Sequence, residues 1–183
     1  MILTVTGHRK VVPAGLVGSA WPEQNPQVAE HHLKVVNHMT EYCWRQHTEH
    51  GCNEFISGMA IGADQLFARA VIALKDALYP VRLTVAIPFN GQERKWPAHS
   101  QTEYNNILAR ADERVVVCKG SYAPWKMQKR NEWMVDRATD VLALWDATQS
   151  GWTFNCIKYA LSEGKPVVGL HPQTLTYGQI NFM

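Results

Sequence analysis

Short runs of apolar and β-branched residues recur along the chain, separated by longer stretches in which apolar residues return every three or four positions. The first pattern reads as buried strands and the second as amphipathic helices. Six strands are predicted, at 2–6, 54–56, 81–87, 114–118, 140–145 and 166–170, with five helices at 28–50, 63–78, 101–111, 126–137 and 153–163. Near-continuous apolar strands alternating with helices belong in a parallel sheet covered on both faces, because parallel neighbours need a crossover and a helix supplies it. The expected fold is α/β: a Rossmann-like, doubly wound, mainly parallel sheet of about six strands with helices on both faces. Gly164-Lys165-Pro166 marks the end of the last helix. The stretch 10–27, with Pro13, Gly18, Trp21, Pro22 and Pro26, is too irregular for a regular element and long for a strand-to-helix loop. It reads as a flap over the site or as an ordered surface loop.

Composition adjusts this picture only slightly. At 183 residues, 46% hydrophobic and 19% charged, the chain suits one core, so a single domain over 1–183 is expected. A net charge of +2 without a block of like charges argues against a nucleic-acid arm or a polybasic membrane patch. Cys43, Cys52, Cys118 and Cys156 form no C-x-x-C pair and read as buried or reduced thiols. The apolar run 2–6 is too short for a secretory segment and nothing approaches a membrane span, so a cytoplasmic location is expected.

In open α/β sheets ligands sit beyond the carboxyl ends of the strands, where loops diverge and helix N-termini point amides into the gap. Gly7-His8-Arg9 follows the first predicted strand, Ser57-Gly58-Met59-Ala60-Ile61-Gly62-Ala63-Asp64 the second, Pro88-Phe89 the third, and Asp146 then Ser150-Gly151-Trp152-Thr153 the fifth. Gly58 and Gly62 would let backbone approach a phosphate, or simply make a tight turn. Asp64 reads as a helix-dipole partner or as an acceptor for a ribose or base. Ser150 or Thr153 is an N-cap or part of a phosphate cradle. Arg9 is the nearest cation for that phosphate, and His8 beside it is a donor, an acid or base, or a plain loop residue. Lys119, Lys126, Lys129 and Arg130, interleaved with Tyr122 and Trp125, read as a single-stranded DNA contact or as a solvated helix face. His31, His32, His38, His47 and His50 offer no convincing metal-ligand set, although His47 and His50 stand at i, i+3. A magnesium ion brought in by a diphosphate is the one cofactor left open, with Asp64 or Asp146 its natural ligand. Tyr42 and Trp44 on the first helix form either a homodimer face or ordinary packing.

Taken with Gln92-Glu93-Arg94-Lys95-Trp96 and Arg130-Asn131-Glu132-Trp133-Met134-Val135-Asp136, these segments resemble the YpsA-like family of the SLOG superfamily, which also holds DprA-like and LOG-type Rossmann domains. The resemblance implies one pocket around Gly7, Arg9, Ser57, Gly58, Gly62, Asp64, Gly151 and Thr153, with Glu93, Trp96, Asn131 and Asp136 at its rim. Trp96 would stack on a base or serve in packing. Asn131 and Asp136 lie five apart on one helix, so one of the two is expected to face the ligand. LOG-type phosphoribohydrolases carry a glutamate three residues after the threonine of their glycine-rich segment, where this chain has Cys156. A thiol does not stabilise oxocarbenium charge as a carboxylate does; Asp64, Glu93, Asp136 and Asp146 are the possible substitutes. The leading expectation is a sensor or sequestering module for a nucleotide or nucleotide derivative, such as ADP-ribose, NAD or a nucleoside phosphate. A nucleotide-processing hydrolase comes second and single-stranded DNA binding third.

Overall fold

The computed structural model describes residues 1–16 and 25–182, so the middle of the expected flap lies outside the described residues. The elements run β1 (Ile2–Gly7), α1 (Pro26–His50), β2 (Glu54–Ser57), α2 (Ala63–Asp76), β3 (Arg82–Ile87), α3 (Ala98–Arg110), β4 (Glu113–Val116), α4 (Trp125–Arg137), β5 (Asp140–Leu144), α5 (Gly151–Ser162), β6 (Val167–Leu170) and β7 (Tyr177–Ile180). Every expected strand and helix is present, and β7 is an addition. It escaped the sequence pattern because Ile180 is its one buried residue, which leaves no apolar alternation to see.

The strands form one sheet in the order β4-β3-β2-β1-β5-β6-β7, parallel except for β7 against β6. Alternation along each strand feeds two layers. Leu3, Val5, Phe55, Leu83, Val85, Leu142 and Leu144 pack under α1, α2 and α3. On the opposite face Val141, Ala143 and Val167 meet Val135 of α4 and Cys156, Ile157 and Ala160 of α5. The order in which strands are added reverses between β1 and β5, parallel neighbours at the middle of the sheet, which is the topological switch point of a doubly wound fold. Gly7 pairs with Leu144 and Ser57 with Val85 in register, so the loops after β1, β2, β3 and β5 leave from the same edge.

Local chemistry sets the boundaries. Asn25 caps α1 by accepting from the Gln27 N–H at 2.9 Å, Pro26 occupies the first turn, and Gly51 closes the helix at φ 69°. His31 hydrogen bonds the Pro172 carbonyl at 2.6 Å and His32 the Val11 carbonyl at 2.8 Å, so these histidines tie α1 to loops. Tyr42 stacks on Tyr177 with centroids 5.3 Å apart, and Trp44 donates to the Tyr79 hydroxyl at 3.0 Å. Both aromatics considered for a dimer face thus have partners within the chain.

Asp112, just before β4, accepts from Lys75 of α2 and from the Leu83 N–H, each at 2.7 Å. Burial alone would push its carboxyl up, but these partners outweigh burial and hold it below the usual carboxylate value. A depressed carboxyl contributes stability above its unfolded value, near 3.9, and loses it as pH falls through the lower folded value. Thermal melts of the wild type should therefore drop more steeply below about pH 4 than those of Asp112→Asn. Parallel acid limbs would show that the pair contributes nothing.

Candidate functional site

At the carboxyl edge of the sheet the loops enclose a cleft of about 860 Å³, within the range of small-molecule sites. Its floor and one wall come from Thr6, Gly7, His8 and Arg9 after β1, Ala60 and Asp64 after β2, and Ser150, Gly151, Trp152 and Thr153 at the start of α5. The opposite wall comes from residues 89–92 and 94–96 after β3 and from Tyr122, Met127 and Asn131 before and on α4, with Arg130 of α4 in the floor.

The β1 and β2 loops are pressed together. Ala63 donates to the His8 carbonyl at 3.1 Å, which anchors the start of α2. Gly62 sits at φ 91°, and a Cβ there would lie 2.5 Å from the His8 carbonyl oxygen. Met59, fully buried, is held at φ 62°, a conformation that a non-glycine residue adopts at a cost of about 1–3 kcal/mol. Ser57 spends its hydroxyl on the Asp64 carbonyl at 2.7 Å and accepts from the Met59 N–H at 3.2 Å. The Ala60 N–H is taken by Asp64 Oδ2 at 3.2 Å. The amides of Met59, Ala60 and Ala63 are therefore occupied by the protein itself. The turn 57–64, expected as an anion cradle, is a close-packed brace, and Ser57, Gly58 and Gly62 lie outside the cleft lining.

The start of α5 is different. Ser150 makes no side-chain cap, Gly151 adopts φ 83° with open space where a Cβ would point, and the amides of residues 151–153 have no protein acceptor among the described residues. An uncapped helix N-terminus facing a cleft attracts anions. Arg9 is exposed on the same side. His8 contacts Asp146 at 2.8 Å; burial pushes the Asp146 carboxyl up, but Thr148 and His8 outweigh it and hold it low.

Asp64 is buried, and burial raises its carboxyl above the ordinary value against the pull of Arg130, the Ala60 N–H and Arg9. Arg130 is buried beside it. Its Nη1 donates to the Gly58 carbonyl, and a Cβ on Gly58 would collide with the guanidinium. Cys156 lies below the cleft, fully buried, its thiol pushed up to about 11 by burial. Burial keeps this thiol protonated and neutral.

Of the remaining expected residues, Trp96 and Asn131 line the cleft, and Glu93, Asp136 and Asp146 do not. Asp136 accepts from the Tyr159 hydroxyl at 2.7 Å, tying α4 to α5. Glu93 Oε2 is buried with no partner among the described residues. The basic cluster divides: Lys126 is buried and donates to the Lys119 and Ser121 carbonyls at 2.5 Å each, Lys129 pairs with Glu132 at 2.8 Å, and Arg130 belongs to the cleft floor. Sequence reasoning missed Arg130, Tyr122 and Trp152 as cleft residues; Arg130 stood inside the quoted 130–136 segment but was sorted by charge alone.

The YpsA family model, described as the YspA SLOG family, matches residues 20–167. This chain belongs to the YpsA family of SLOG proteins. It is 35% identical over 131 residues to the uncharacterized SPbeta prophage-derived protein YoqJ of Bacillus subtilis, spanning 64% of this chain and 76% of that protein. It is 28% identical over 134 residues to UPF0398 protein OB1025 of Oceanobacillus iheyensis, 72% of each, and 27% identical to UPF0398 protein YpsA of B. subtilis over 52% of this chain and 53% of that one. The match to UPF0398 protein ABC2016 of Shouchella clausii spans 58% of each, so the shared region is between about half and three quarters of these relatives. Among solved structures, DNA processing protein A of Helicobacter pylori, described for its single-stranded DNA binding mode, aligns with TM-score 0.59 at 14% identity over 93% of this chain and 65% of that one. DprA of Streptococcus pneumoniae aligns with TM-score 0.53 at 17% identity over 91% and 49%. These likenesses establish the YpsA-family chain as having the DprA-like Rossmann fold. Among the described residues no helix is long and apolar enough to cross a membrane.

Gly62→Ala should destabilise the protein by about 2–3 kcal/mol, because a new side chain must both adopt the left-handed region and push the β1 loop away. Urea unfolding measures this; an unchanged midpoint would mean that the two loops are not tightly coupled.

Proposed function

We propose that this YpsA-family protein binds a nucleotide or nucleotide derivative in the cleft, as a sensor or sequestering module. The observation that carries the reading is the uncapped N-terminus of α5, at the switch point of the sheet, which lines the same cleft as Arg9. A phosphate there would meet helix amides and a guanidinium fork together. Phe89, Trp96, Tyr122 and Met127 offer an apolar, partly aromatic wall for a base. The thiol at Cys156 supports binding over N-glycosidic hydrolysis, which needs a carboxylate at the sugar.

Calorimetry with AMP, ADP-ribose and NAD tests this reading. At least one should bind, and Arg9→Ala should weaken it about tenfold, the worth of one charge-assisted hydrogen bond. Silence across the panel would overturn the reading.

A second reading, single-stranded DNA binding, draws support from the fold shared with DNA processing protein A and from the exposed rings of Tyr122 and Trp125 near the cleft mouth. Fluorescence titration with oligo(dT) separates the two. DNA binding would weaken steeply between about 50 and 200 mM salt, since it depends on phosphate contacts. No binding at low salt would dismiss it.

A further inference from the structure

The cleft floor offers a polar pair that a phosphate does not use. Arg130 and Asp64 have side-chain exposures of 6% and 7%, and both line the cleft. Arg130 Nε donates to Asn131 Oδ1 at 2.9 Å, Nη1 donates to the Gly58 carbonyl, and Nη1 stands 3.5 Å from Asp64 Oδ2. Asp64 Oδ2 also accepts from the Ala60 N–H. These contacts consume Nε and Nη1 of the guanidinium and one carboxylate oxygen. Nη2 and Oδ1 have no hydrogen-bond partner among the described residues and are not among its sealed, partnerless atoms, so both open onto the cleft that their side chains line.

A donor and an acceptor held side by side in a buried floor fit a group that presents the complementary pair. An arginine–carboxylate pair carries no net charge, and a second phosphate would meet Asp64 as a like charge. The group that fits is neutral. Its place along the sheet narrows the choice. The anion site lies over β5 and β1, Gly58 under Arg130 follows β2, and the wall of Phe89, Trp96 and Tyr122 follows β3 and β4. Anion site, neutral pair and aromatic wall therefore follow one another along the edge of the sheet. That is the order of phosphate, ribose and base in a nucleoside 5′-monophosphate.

The geometry points to Arg130 and Asp64 as the ribose-reading pair of the cleft, Asp64 Oδ1 accepting from one ribose hydroxyl and Arg130 Nη2 donating to a hydroxyl oxygen. The site then selects ribonucleotides over their deoxy analogues. This inference rests on the nucleotide reading above and adds to it a distinction between ribose and deoxyribose. Gly58 lacks a side chain because the guanidinium occupies that space, and Asn131 and the Gly58 carbonyl serve as positioning groups that keep the fork fixed.

Calorimetry on the intact chain with AMP, 2′-deoxy-AMP and 3′-deoxy-AMP tests it. The wild type should bind AMP at least about tenfold tighter than one of the deoxy analogues, since a buried pair left without its partner loses 1.4 kcal/mol or more. Asp64→Asn and Arg130→Lys should shrink that ratio toward one, whereas a purely structural role would weaken all three ligands alike and leave the ratio unchanged. Where a variant fails to fold, the ratio in the wild type decides alone. Equal binding of all three ligands overturns the ribose pair and leaves the nucleotide reading standing; no binding of any overturns the ribose pair, and silence of ADP-ribose and NAD as well overturns both.

Discussion

The architecture of the site depends on the pinch between the loops after β1 and β2. Gly62 has no space for a side chain against the His8 carbonyl, and the Ala63 N–H is bonded to that same oxygen. This contact fixes where α2 begins and turns Asp64 inward. It also brings Gly58 under Arg130 of α4, which reaches across from the other layer to bond its carbonyl. One brace thus joins elements from both faces of the sheet at the edge where the cleft opens. The strain at Met59 is held in place by the same brace, its amide fixed by Ser57.

In the β2 turn the amides of Met59, Ala60 and Ala63 are taken by the protein itself, whereas the first amides of α5 have no acceptor among the described residues. The cleft is accordingly asymmetric. Its β1–β5 end carries Arg9 and the first amides of α5, its floor is the Asp64–Arg130 pair, and its β3–β4 end carries the rings of Phe89, Trp96 and Tyr122. A ligand with those three characters in that order would satisfy each part without leaving a buried charge or donor unmatched.

The fold was legible because hydrophobic periodicity dominates in a parallel sheet buried on both faces: β1, β3 and β5 carry hardly an exposed residue in their central positions. β7 was not legible, since an exposed edge strand with a single buried side chain carries no such signal. At the site, the sequence pointed to the edge where the cleft opens and to part of its lining, Arg9, Asp64, Trp96, Asn131 and Gly151 among it. It could not tell which amides the protein would use itself, because that follows from the Ser57 and Asp64 side chains folding back on their own turn. Nor could charge alone separate Arg130 from Lys126 and Lys129, since their fates depend on which face of α4 meets the sheet. Asn131 lines the cleft and Asp136 pairs with Tyr159, because five residues on a helix turn them toward different neighbours.

Whether the α5 N-terminus is the anion end of a nucleotide cleft is tested most directly by a crystal structure with AMP. Density for the phosphate is expected against the amides of residues 151–153, on the side of the cleft that Arg9 lines, with the sugar over Asp64 and Arg130. Density for AMP elsewhere on the molecule, or a phosphate turned away from α5, would contradict it.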